Sequence, residues 1–221
     1  PAVPALVTAD ADWLKQVERV SVHELLFRTR GLGRPADVLL APFYQLQHER
    51  YTVYWEVLTP AAWDQRRAKL AALDARWRAL PGSAVDFVEA GDPTSEGSHA
   101  VASGKSETGA IGGRTWRQAQ KGEMIAYQLK THGQGQLALE CAYGANDRAR
   151  KFDVWVDGSK VASPKLEGGN VGEIVFERYA IPAEALAGKS SVTVKFQADT
   201  NWDGATANLF ACALVGPGDR P

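Results

Sequence analysis

The stretch "KFDVWVDGSKVAS", residues 151–163, decides the fold class. Its apolar residues recur at every second position, the period of a half-buried β-strand. Within it, "VDGS" places Asp157 and Gly158 at a tight hairpin turn. The same period runs through "EMIAYQLKT" (123–131), "QLALECAY" (136–143), "EIVFERYAI" (173–181), "SSVTVKFQA" (190–198) and "ANLFACALV" (207–215). Many short strands divided by Gly, Asn and Asp loops predict an antiparallel, jelly-roll-like β-sandwich over residues 84–221.

Upstream, the pattern is also β-rich. "HELLFRT" (23–29) and "DVLLAPFYQL" (37–46) read as strands around the turn-rich "RGLGRPA". In "RYTVYWEVLT" (50–59), Tyr51, Val53, Trp55 and Val57 share one face, and Thr52, Tyr54, Glu56 and Leu58 the other. Both faces carry bulk, so this strand is expected to be covered on both sides. Residues 60–80 change period. Thr59 suits an N-cap and Pro60 the first helical position. Trp63, Leu70, Leu73, Trp77 and Leu80 then recur at helical spacing until Pro81-Gly82, which is expected to stop the helix. The fold class is therefore mainly β: a smaller β-rich module with one α-helix over residues 1–83, then the sandwich over 84–221.

The totals exclude several function classes. Twenty-five basic residues against 26 acidic ones leave a net charge of −1, which gives no electrostatic reason to expect nucleic acid or an anionic membrane as partner. No apolar run approaches the roughly 20 residues that span a bilayer. Residues 1–20 already alternate polar and apolar positions, unlike a signal peptide, and the start "PAVPALV" reads as a processed or truncated end. Two cysteines do not make a disulfide framework.

Catalytic signals are sparse. "HELLF" begins like a zinc-protease motif, but Phe27 stands where the second His is required. His23, His48, His99 and His132 lack paired ligand spacing. "TGAIGGRTW" (108–116) is glycine-rich without phosphate-loop spacing and reads as an inter-strand loop. Cys141 shares a face with Leu137, Leu139 and Tyr143, and Cys212 with Phe210 and Leu214, so both read as buried free thiols, with a mutual disulfide and a reactive role as the alternatives. The residue types suit binding better. Trp116 with Arg114 and Arg117, and Trp202 between Asn201 and Asp203, fall in loop-like stretches and offer flat rings and hydroxyl partners to a sugar. The rival reading makes both tryptophans caps of a sandwich core.

"PFYQLQHERYTVYW" (42–55), preceded by "GRPADVLL", resembles the region that follows the catalytic barrel in glycoside hydrolase family 127, the β-L-arabinofuranosidase-like group. "HAVASGKSETGAIGGRTWRQAQKGEMIAYQLK", "RKFDVWVDGSKVAS" and "YAIPAEALAGKSSVTVKFQA" are similar to that family's C-terminal extension. Gln45 and Gln47 depart from the pattern, with His48 displaced by one position. The resemblance implies a non-catalytic accessory region packing on an upstream (α/α)6 barrel. That barrel would hold the cysteine nucleophile and a zinc, with no cofactor in this chain. It further implies a secreted or periplasmic location, contact with a plant-type glycan, and an interface at Phe43, Tyr44, Tyr51, Tyr54 and Trp55. The alternatives are a free-standing carbohydrate-binding module and a purely structural β-sandwich.

Overall fold

The computed structural model describes residues 5–7, 12–21, 25–42, 57–145, 147–169, 173–200 and 204–217. The chain divides into two compact units, Pro1–Ala72 and Leu73–Pro221.

The strands of the first unit are short: β1 (Ala5–Val7), β2 (Val17–Arg19), β3 (Phe27–Thr29), β4 (Gly33–Arg34), β5 (Leu39–Leu40) and β6 (Val57–Leu58). They form two three-stranded sheets, β4-β1-β6 and β2-β3-β5. Within the described parts of the strands expected over 23–29, 37–46 and 50–59, the ladder residues are Phe27–Thr29, Leu39–Leu40 and Val57–Leu58; residues 23–24, 43–46 and 50–56 lie outside the described residues. Asp37 and Val38 stay out of the ladder: the Asp37 carboxylate accepts from Thr29 Oγ1 and Gly33 N, while Thr29 Oγ1 accepts from Val38 N. Side chains here satisfy backbone groups that a longer ladder would have used. Phe43, Tyr44, Tyr51, Tyr54 and Trp55 lie outside the described residues.

Helix α1 (Pro60–Ser83) starts where the sequence places it: Thr59 Oγ1 accepts from Ala62 N at 3.2 Å. It does not stop at Pro81. A proline in the last turn removes one donor and leaves the preceding turns intact, and Ser83 closes the end by donating to the Leu80 carbonyl.

In the second unit the strands are β7 (Asp86–Glu89), β8 (Ala102–Ser103), β9 (Ser106–Ile111), β10 (Arg114–Ala119), β11 (Met124–Lys130), β12 (Ala138–Gly144), β13 (Arg148–Val156), β14 (Ser159–Ala162), β15 (Lys165–Glu167), β16 (Ile174–Ala180), β17 (Ser191–Ala198) and β18 (Leu209–Val215). Two short helices, α2 (Pro93–Ser98) and α3 (Ala183–Leu186), add to the single one expected. The strands form an antiparallel β-sandwich. One sheet runs β16-β12-β18-β10-β9 with β7 also on β18; the other runs β14-β13-β17-β11-β8 with β15 also on β13. Asp157 and Gly158, both at positive φ, make the expected hairpin turn between β13 and β14.

Two local expectations are corrected. Residues 108–116 are not a loop: Gly112 and Gly113, at φ 60 and 80, form the two-residue turn of a β9–β10 hairpin. Phe210 does not share a face with Cys212. The register skips it, pairing Ala142 with Ala211 but Tyr143 with Leu209, and this β-bulge turns Phe210 outward.

The core lies between the sheets. Leu139, Cys141, Tyr143, Leu209, Cys212 and Leu214 from one sheet meet Ile125, Tyr127, Phe152, Val154, Val194 and Phe196 from the other. Tyr143 packs edge-on against Phe152 and Phe196 at 5.4 and 6.5 Å between ring centres. A second layer covers the outer face of the first sheet, where Trp77 and Leu80 of α1 pack on Phe87 and Phe210.

One side of the sandwich is closed by a buried carboxylate. Asp92 caps α2 by accepting from Ser95 N, and Glu96 then points inward, 3% exposed. Glu96 accepts from Arg117 Nε and Nη2 at 2.7 and 2.6 Å, from the Tyr127 hydroxyl at 2.8 Å, and from Gly91 N at 2.9 Å. Arg117 comes from β10 in one sheet and Tyr127 from β11 in the other, so one side chain ties both sheets to α2. Gly91 is required where it stands: it has φ +79, and a Cβ there would lie 2.4 Å from the Trp116 carbonyl oxygen.

Burial alone would raise the Glu96 pKa, but Arg117, Gly91 and Tyr127 outweigh it and hold the carboxyl below its ordinary 4.5. The native value is thus below the unfolded one. Its stabilisation is fully present above the unfolded value and is lost as pH falls through the native one. Glu96→Ala strands the Arg117 guanidinium and should cost about 3–5 kcal/mol at neutral pH. In urea titrations the gap between wild type and variant should narrow as the pH falls through the carboxylate range; a gap unchanged by acid would contradict the ionised role.

Candidate functional site

The other side of the sandwich stays open. There β16, at the edge of the first sheet, faces the segment that leaves β14 and enters β15. Between them lies a cleft of about 270 Å³. Its polar lining is Ser163, Lys165, Glu177 and Tyr179; Ala162, Pro164 and Leu166 supply the apolar part. Glu177 and Tyr179 share one face of β16, because residues two apart on a strand do.

The Tyr179 hydroxyl donates to that of Tyr143 at 3.3 Å, and burial, first among its causes, pushes its pKa well up, so it stays a neutral donor–acceptor. Ser163 Oγ donates to Asp153 Oδ1 at 2.6 Å, and Lys160 Nζ donates to Asp153 Oδ2 at 3.2 Å. Lys165 reaches Glu167 at 3.3 Å with both side chains largely in solvent, a pairing of little strength. On the outer face of the second sheet, Trp155 sits between its cross-strand neighbours Lys160 and Lys195. Their ammonium groups lie 5.6 and 5.2 Å from the Trp155 ring. A carboxylate, an ammonium, a hydroxyl and a phenol over an apolar floor suit a hydroxyl-rich ligand about one ring wide.

Trp116 and Arg117 are in the middle of β10 rather than a loop, and as adjacent strand residues they face opposite ways. Trp116 packs with the outer layer of Leu80 and Phe210. Its ring crosses Gly109, where a Cβ would come within 2.4 Å of Cζ2, and its indole N–H is buried without a partner. Arg117 is turned to Glu96 and also donates to Ser106 Oγ at 2.7 Å. Asn201, Trp202 and Asp203 lie outside the described residues. The residues that converge in the cleft come from 162–166 and from 177 and 179, and have no local signature that would have drawn them together.

Cys141 and Cys212 are fully buried free thiols, and burial raises both pKa values. His99 is held by the Ser95 carbonyl at 2.6 Å and by Asp86 Oδ1 at 3.2 Å. Among the described residues, no group of three or more His, Cys, Asp or Glu side chains could hold a metal ion, and no helix is long and apolar enough to cross a membrane.

The model of the family of unknown function DUF6805 matches residues 79–211, and that of the domain of unknown function DUF4986 matches residues 1–57. No curated protein matches. Among solved structures, a family 35 carbohydrate-binding module from an environmental isolate is 17% identical, with a TM-score of 0.45 over 60% of this chain and 93% of that one. One from Clostridium thermocellum is 12% identical, with a TM-score of 0.47 over 60% and 99%. CBM35 from Paenibacillus barcinonensis is 14% identical, with a TM-score of 0.45 over 59% and 98%.

The packing of Trp116 on Gly109 gives a test of the tryptophan's place. Gly109→Ala should displace the ring, lower stability by about 1–3 kcal/mol and shift tryptophan emission to the red. An unchanged melting curve would mean that the ring is free to move aside.

Proposed function

The chain belongs to the DUF6805 family, and we propose that it is a non-catalytic glycan-binding region, with its ligand site in the open-edge cleft of the second unit. The observation that carries this reading is the convergence of Ser163, Lys165, Glu177 and Tyr179 on one concave surface. They offer donors and acceptors of the kinds that ring hydroxyls pair with, beside Pro164 and Leu166 for the C–H face of a sugar. Glu177 supplies a carboxylate acceptor, Lys165 a donor, and neutral Tyr179 either. Hydrolysis is no part of the proposal: both thiols are sealed in the core and held protonated.

The finer reading rests on the sequence resemblance. In it the chain is the accessory region of a family-127-like glycoside hydrolase whose barrel acts on L-arabinofuranosides by retention. Phe43, Tyr44, Tyr51, Tyr54 and Trp55 then meet that barrel, and Trp116, Arg117, Asn201, Trp202 and Asp203 are the alternative sugar contacts.

Calorimetry of the whole chain with arabinan and pectic oligosaccharides tests the binding reading. Binding should weaken at least tenfold in both Tyr179→Ala and Glu177→Gln, with melting temperatures close to wild type in the second. Affinity kept in both but lost in Trp202→Ala would move the site to the alternative contacts. No glycan bound at millimolar concentration would leave the structural-sandwich reading. A separately produced barrel that neither binds the chain nor raises its melting temperature would remove the accessory role.

A further inference from the structure

Cys141 and Cys212 stand directly opposite each other. They occupy the antiparallel pair β12–β18, in register as Cα partners, and both side chains point into the same inter-sheet core. Residues so placed have Cα atoms roughly 4.5–5.5 Å apart, inside the range of about 4.4–6.8 Å that a disulfide spans without backbone movement. No residue intervenes between them in the ladder. The two strands are also the central partners of their sheet and come from well-separated parts of the second unit.

We propose that Cys141 and Cys212 are a cross-strand disulfide pair, closed by thiol–disulfide exchange while the sandwich is folding and inaccessible to exchange once it has folded. The chemistry needs a small disulfide, such as oxidised glutathione, as oxidant. One cysteine thiolate attacks that disulfide, forming a mixed disulfide and expelling one thiol. The second cysteine thiolate attacks the protein sulfur of the mixed disulfide, forms the Cys141–Cys212 bond and expels the other thiol. Two electrons pass from the protein sulfurs to the donor disulfide, and the two protons leave on the released thiols. Timing follows from burial. Both cysteines have no exposed surface in the folded chain, so neither can meet an external disulfide there. In the unfolded chain both can.

The test compares two histories of the whole wild-type chain. One sample is unfolded in urea with reductant and refolded in a mixture of reduced and oxidised glutathione. The other is kept folded and reduced, then exposed to the same mixture. The refolded sample should lack titratable thiols in denaturant and lose the mass of two hydrogens. A single peptide cross-link should join residues 141 and 212. Its melting temperature should exceed that of the reduced chain by on the order of 5–10 °C. The folded sample should keep both thiols. In Cys141→Ala and in Cys212→Ala the melting temperature should be the same for both histories. Refolding to a monomer with both thiols free, glutathione adducts in place of the cross-link, or refolding only under reducing conditions would each overturn the proposal. So would rapid closure in the folded sample, which contradicts the sealed core.

Discussion

The contact between Glu96 and Arg117 is the constraint on which the sandwich depends. A carboxylate this deeply buried is tolerated only if its lone pairs are filled, and the chain fills them from three places. The guanidinium comes from β10, the phenol of Tyr127 from β11 and a backbone N–H from Gly91. These partners belong to both sheets and to the entry of α2. Their separation is set by hydrogen-bond lengths rather than by the softer fit of apolar side chains, so the distance between the sheets on that side is fixed. The demand extends outward: Gly91 must be glycine to pass the backbone of Trp116, and Trp116 in turn occupies the space above Gly109.

The two lateral sides of the sandwich therefore differ in kind. Around Glu96 the polar groups are paired and the edge is sealed. Around β16 the equivalent gap keeps an unsealed cleft, and Glu177 has no ion-pair or hydrogen-bond partner among the described residues. An inward-facing carboxylate on an edge strand also discourages strand addition from another chain. The cleft's polar character thus suits both ligand capture and protection of an exposed edge.

Much of this was legible in the sequence, for identifiable reasons. The Asp157-Gly158 turn, the Thr59 cap and the burial of both cysteines follow from local chemistry that tertiary structure did not override. Gly112-Gly113 carried an equally clear turn signal that a loop reading absorbed. Asp92-Pro93 followed by Glu96 marks a helix start inside a region of period two, and it was the available clue to α2 and to the buried ion pair. The outward turn of Phe210 was not legible, because a bulge shifts the alternation by one residue with no change in composition. The cleft was not legible either, since its lining comes from two edge segments whose proximity only the finished sandwich creates.

Strand β7 pairs with β18 through Glu89–Ala211 to Asp86–Leu214, so the first strand of the second unit is hydrogen-bonded to its last. β18 also carries β12 on its other flank and meets β10 at Leu209. A nascent chain leaving the ribosome would thus hold β7, β10 and β12 without their shared neighbour until the final strand emerged. Such a topology is dominated by non-local closure and delays cooperative folding. During that interval the apolar inner faces of the early strands lack their cover, and a stop codon only a few residues before β18 would remove the centre of the sheet rather than its margin.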